Sequence, residues 1–257
     1  MKITSNQMAI LNNDEFKATS DRYRPIKTID VVNRFKEHGM TVSDMQESRT
    51  RDYNKIDKVR HFVRMTIDEQ QGIRREVVIM NSSDSTTSLR LHAGFTRMVC
   101  LNGCVFSDDM IPAEKIKHTH HTPFARIDSF VERLMKSLDE EQRIREAMMN
   151  KRLSAYDIER FAYSAIATKE KDMSIILDPM AVAQIRRPED QGKDLFTVYQ
   201  RIQENIIKGG SYKKLSQYTD SETGDVTEKY SVAKLISNHS RAIDINKNLH
   251  TLAMSYM

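Results

Sequence analysis

Two groups of residues in this sequence have types and spacing that could do chemistry. Cys100 and Cys104 are separated by three residues, and His118, His120 and His121 follow after a further thirteen. Thiolates and imidazoles are zinc-ligand types, and four of them could close a tetrahedral site. The spacing departs from a standard finger, because CxxxC is one residue longer than the usual knuckle and HTHH is too tight for ligands on one helix. In a strand, His118 and His120 share a face and His121 takes the other. The competing reading is two buried thiols beside a polar loop.

The second group is basic. Arg49, Arg51, Lys55, Lys58, Arg60 and Arg64 gather ahead of and along one segment, and Arg74, Arg75 and Arg90 fall on the segments after it. On one sheet face they would form a band on which phosphates track, with Tyr53 and Phe62 as stacking groups. Lys and Arg on a strand are also ordinary edge protection. Other chemistry has little material. The chain holds 8 Gly and no GxSxG elbow, phosphate-cradling glycine loop or HExxH. The pairs Asp108-Asp109, Asp139-Glu140-Glu141 and Glu189-Asp190 read as solvated faces or helix-start charges. Nothing here requires a catalytic residue or a cofactor.

The elements that must position these residues follow from periodicity. Residues 1–19 read as a flexible polar leader. Asp30 predicts the cap of a short helix with Val31, Val32 and Phe35 on one face, ended by Gly39. Residues 43–58 read as an exposed strand or loop. In KVRHFVRMTI, Val59, Val63, Met65 and Ile67 oppose Arg60, Arg64 and Thr66, which predicts a half-buried strand. DEQQG and SSDSTT then set off RREVVIMN and SLRLH as its partners in an antiparallel meander. Residues 95–105 fit a helix ending at Asn102-Gly103 and a strand–turn–strand almost equally well. From Pro123 the chain turns helical, with Phe124, Ile127, Val131, Leu134, Met135 and Leu138 at helical spacing and a run reaching towards Met149. Further helices are predicted from Ser154, from Asp194 to Lys208 before Gly209-Gly210, and from Val232 to the end. Residues 211–230 read as a mobile surface excursion. In the helix after Asp194, Leu195, Val198, Tyr199, Ile202 and Ile206 make an apolar stripe, and Gln203, Glu204 and Asn205 a polar block. Buried, that block would point to capping or to a neighbouring subunit.

The expected fold is therefore α+β: a small antiparallel β-meander packed against helices, then a mainly helical C-terminal half. The divisions are 1–19, 20–122 and 123–257, expected to form one continuous domain. The bulk numbers agree. The 257 residues carry 40 Lys+Arg against 36 Asp+Glu, a weak net charge of +4. No run of 18 apolar residues is available to span a membrane. Two cysteines in a chain of this length suit a reducing cytoplasm.

TRMVCLNG at 96–103, IKHTHHT at 116–122 and above all RRPED…DLFTVYQRIQENIIKGG carry a resemblance. So do the opening SDRYRPIKTIDVV and the closing DINKNLHTLAMSYM. Together they resemble the phage- and plasmid-like proteins grouped as domain of unknown function 932. The chain departs from that pattern at Phe196, where Trp is expected, and at Cys104, where an apolar residue is usual. The resemblance implies a protein of a phage, plasmid or integrated element in a bacterial host, without an assigned activity. The order helix, meander, helix is also similar to that of single-strand annealing proteins, an analogy of fold alone. The leading expectation is a non-enzymatic protein that binds single-stranded DNA as a homo-oligomer, annealing strands in recombination or replication. The alternatives are a factor that binds and inhibits a host defence or replication enzyme, and a metal-dependent enzyme built on the Cys/His cluster.

Overall fold

The structure, a computed structural model, describes residues 4–13, 20–48, 58–70, 72–84, 86–98, 102–105, 110–119, 121–219 and 226–257. The chain divides into two compact units, Met1–Leu138 and Asp139–Met257.

In the first unit, helix α1 (Ser5–Leu11) occupies part of the stretch expected to be a loose leader. Thr4 and Gln7 form a capping box, Gln7 Nε2 donates to Met45 O at 2.9 Å, and Ile10 and Leu11 are buried. Reciprocal capping together with a buried apolar end is enough to hold a helix this short. Helix α2 (Thr28–Glu37) buries Val31, Val32 and Phe35 as the pattern requires. Its N-cap is Lys27, so Asp30 lies inside the first turn, where it complements the helix dipole rather than capping. Gly39 closes it at φ +80°, a conformation that favours glycine.

A six-stranded antiparallel sheet follows, made of β1 (Thr41–Glu47), β2 (His61–Gln70), β3 (Ile73–Asn81), β4 (Leu89–Arg97), β5 (Asn102–Val105) and β6 (Glu114–Ile116). The first five pair in sequence order, and β6 joins the start of β4 while β5 pairs its end. The strand–turn–strand alternative thus holds over 95–105, with the reversal between Arg97 and Asn102 rather than at Asn102-Gly103. One face carries His61, Val63, Met65, Val77, Ile79, Leu91 and Ala93, all buried. Hydrogen bonds from this face identify what covers it. His61 pairs with Thr28 of α2 at 2.7 Å, and Arg75 donates to the Leu138 carbonyl of the long helix α3 (Pro123–Asn150). Ile127, Phe130, Val131 and Leu134 give α3 its buried stripe. A bidentate pair from Arg34 to Asp128, at 2.7 and 2.6 Å, joins α2 to α3 and pulls the Asp128 carboxyl down to about 2.

The second unit takes the end of α3, α4 (Ala155–Ala167), α5 (Leu195–Lys208) and α6 (His239–Met254), with a three-stranded sheet of β7 (Ile176–Leu177), β8 (Lys213–Thr219) and β9 (Val226–Val232). Ser154, Asp194 and Asn238 cap α4, α5 and α6 through their side chains. The excursion expected over 211–230 is largely the β8–β9 hairpin, and the last helix starts at His239 rather than Val232. Val232 ends β9, and residues 233–238 cross the end of α5 before Asn238 can open α6. The buried core of this unit includes Phe161 of α4, Tyr199 of α5 and Tyr212, and Val198, Ile202 and Ile206 of α5 are fully enclosed.

Candidate nucleic-acid interface

The expected basic band is divided by the sheet. Arg49, Arg51, Tyr53 and Lys55 lie outside the described residues. Arg60, Arg64, Arg74 and Arg90 share the face opposite α2 and α3, while Arg75, next to Arg74 on a strand, necessarily points the other way. There Arg75 is 6% exposed and pairs with Asp68. Arg75 is a structural cation beneath α3, and it leaves the phosphate-binding set. Arg64 is tied to the buried Glu76, which also accepts from Thr96 Oγ1 at 2.6 Å, and Arg74 faces Glu69 at 3.4 Å. Phe62 is 5% exposed, opposite Met80 and Gln46, too enclosed to stack a base. The central rows of this face, Val78, Met80 and His92, are also buried.

Other cations lie at one end of the sheet. Arg60 and the half-buried Lys58 precede β2, and Arg90 sits opposite Met80 near the start of β4. Arg74 is six residues away along β3, about 20 Å. At this end Arg90 stands directly opposite Lys115 of β6. Like charges in register across two strands repel. Among the described residues neither has a carboxylate partner, and Arg90 Nε is buried without a hydrogen bond. Lys115 continues into a cavity of about 470 Å³ lined also by Lys117, Thr119, His121, Thr122 and Arg126. Arg126 is neutralised by Glu114, which also takes Arg133, whereas Lys115, Lys117 and His121 are exposed. The sequence does not mark Lys115 and Lys117 as partners of the basic band, because Lys115 comes beside Arg90 only through the β4–β6 pairing.

Those histidines do different things. His118 is 5% exposed, stacks on Tyr23 with ring centres 5.3 Å apart, and its Nδ1 accepts from the Ile26 amide at 3.1 Å. Burial pushes its imidazole below the ordinary range. His121 lines the cavity. Cys100 and His120 lie outside the described residues, and Cys104 falls opposite Phe95 in the β4–β5 pairing. Among the described residues no three His, Cys, Asp or Glu side chains converge on a metal position.

The RRPED and QENIIKGG segments meet in the second unit. Glu204, 2% exposed, receives Arg187 in a bidentate pair at 3.0 and 2.8 Å and Lys208 at 2.7 Å. Burial works against its charge, but these donors hold its carboxyl below the usual range. Asn205 Nδ2 donates to the carbonyls of Val182 and Gln184, Arg201 to that of Asp190, and Gln203 to Asn246. The polar block is therefore buried and engaged within its own unit. It clamps residues 182–190 onto α5, and its enclosure argues for a structural role.

Among the described residues no helix is long and apolar enough to cross a membrane. No solved structure matches the chain significantly. Two Escherichia coli K12 proteins, the UPF0380 proteins YafZ and YfjQ, are each 26% identical to it over 204 residues, covering 79% of this chain and 74% of theirs. The family model described as domain of unknown function (DUF932) matches residues 15–245, and the chain belongs to that family.

Proposed function

We propose that the protein binds single-stranded nucleic acid through the end of the sheet where Arg60, Arg90, Lys115 and Lys117 gather. The observation that carries this reading is the Arg90–Lys115 pair, two cations in register that have no carboxylate partner among the described residues. Such a pair is relieved by an anion, and a row of phosphates supplies anions at the spacing of a chain. A helix, an antiparallel meander and a long helix laid across it support the strand-annealing role, by analogy of element order. On this reading it works as a homo-oligomer in the cytoplasm of a bacterial cell, in the recombination or replication of a mobile element.

The test is anisotropy of a labelled oligonucleotide, single- and double-stranded, DNA and RNA, across a salt series. The expected result is tighter binding to single strands that weakens steeply with salt, and at least tenfold weaker binding by Lys115→Glu/Lys117→Glu with an unchanged circular-dichroism melt. Binding indifferent to salt, or to that double reversal, would overturn the reading. A monomeric mass with and without DNA would remove the oligomer. One observation favours the second reading, a protein-binding factor: Val226, Tyr230 and Val232 are exposed on one face of β9, with Leu235 exposed just beyond. Loss of a purified partner on Tyr230→Asp, with DNA binding intact, would support it.

A further inference from the structure

The second unit contains a different cationic recess, about 550 Å³ in volume, between the C-terminal end of α4, the β8–β9 hairpin and the start of α6. Lys169, Lys214, Lys229, Lys234 and Arg241 line it. Among its described lining residues the single carboxylate, Glu170, is occupied by the Tyr212 hydroxyl at 2.7 Å and Lys214 at 3.1 Å. Strand register explains the convergence, because Lys214 lies opposite Ser231 and Ser216 opposite Lys229, so all four project from one face of the hairpin.

The recess is built rather than accidental. Lys169 is half-buried, and its Nζ donates to the carbonyls of Ile206 at 3.0 Å and Lys234 at 2.8 Å. An ammonium has three donors, so one is left. Arg241 donates to the Lys169 carbonyl at 2.9 Å, using one of its five N–H groups. The 16-residue helix α6 opens on this recess through Ser237 and Asn238, with no acidic residue in its first turn. The positive end of its dipole thus adds to the cations. Residues 233–236 are held in place by the Gly-Gly stop of α5. Gly210 N donates to Ala233 O at 2.8 Å, Ile236 N to Ile207 O at 3.0 Å, and a Cβ on Gly209 would lie 2.6 Å from Ala233 O. The Gly209-Gly210 end of α5 is what lets the segment carrying Lys234 come this close.

We propose that this recess binds a phosphate-bearing small molecule of nucleotide size. The volume falls within the usual range for such ligands. Val232, Leu235 and Ile236 supply an apolar wall beside the cations. The site lies in the second unit and stands independently of the interface at the end of the sheet. Burial, with Lys214 and Arg241 nearby, pushes the Lys169 ammonium down to about 8, against the opposing pull of Glu170. A phosphate arriving there restores the charge, so binding at pH 8.5 takes up protons.

The test is titration calorimetry of the full chain with pyrophosphate and with ATP at low salt. Saturable one-to-one binding is expected, at least tenfold weaker in Lys234→Glu and in Arg241→Ala, and unchanged in Lys115→Glu/Lys117→Glu. At pH 8.5, where ATP is fully ionised, ATP binding in buffers of different ionisation enthalpy should show proton uptake that shrinks at pH 7. Equal affinity for the two probes assigns recognition to the phosphates alone, and tighter ATP binding brings in the apolar wall. No saturable heat from either probe at millimolar concentration, or affinity unaltered in both recess variants, overturns the proposal, whatever the DNA assay shows.

Discussion

Single residues show where the folded state resists charge. His250, 3% exposed and edge-on to Tyr199, has its imidazole pushed by burial from 6.5 to about 4. The unfolded chain therefore binds a proton between these values that the folded chain refuses. Stability is complete above about pH 6.5 and is lost as pH falls towards 4, by about 3 kcal/mol from this group. His61, buried and lowered for the same reason, adds in the same direction. Urea unfolding at pH 7 and pH 4.5 should show the loss, and His250→Gln should flatten it. Glu76 is a buried carboxylate that carries an ion pair. Glu76→Gln leaves Arg64 without its charge partner, and since Arg64 is 24% exposed and can reach water, the expected loss is about 1–3 kcal/mol by urea midpoint. Arg64 was legible in the sequence as an outward-facing cation but its pairing with Glu76 was not, because a carboxylate twelve residues away becomes adjacent only once β2 and β3 pair in register.

At the scale of elements, sequence was most legible where burial imposes a period. The β2–β3–β4 meander, α3, α4 and α5 followed from apolar alternation or helical spacing, each needing a covered face. The β8–β9 hairpin did not, since SYKKLSQYT and VTEKYSV offer no sustained apolar alternation and β9 stays largely exposed. Alternation also separated Arg74 from Arg75, a consequence of strand geometry that counting cations overlooks. The α5 terminus gives a quantitative contrast. Gly39 and Gly209 both have positive φ, at 80° and 68°, but only Gly209 has neighbours within reach of a Cβ. Gly39→Ala should cost about 1 kcal/mol, the backbone penalty alone, and Gly209→Ala about 2–4 kcal/mol, because Ala233 and Lys234 must also shift. Paired thermal melts would measure the difference, which is the energetic weight of that close approach.

For the whole molecule, the near-balance of 40 cations and 36 carboxylates hides local segregation. Residues 49–90 looked like the basic pole, yet several of their arginines are consumed by carboxylates of the same sheet. The unpaired positive charge gathers instead around Lys115 and around Lys234. The second place was invisible in the sequence, because Lys169 and Arg241 are separated by α5 and a hairpin. If single strands bind at the end of the sheet, each neutralised phosphate contributes about 0.7 to the slope of log affinity against log salt. Lys115→Glu/Lys117→Glu should then reduce that slope by about 1.4. The boundary between the two units falls within α3, whose 28 residues make a rod of about 42 Å. A protease or a gene fusion aimed at Leu138 would sever a hydrogen-bonded spiral in mid-course. A variant that exchanged residues 139–257 for those of a relative would therefore have to take its junction outside α3 and inherit the helix whole.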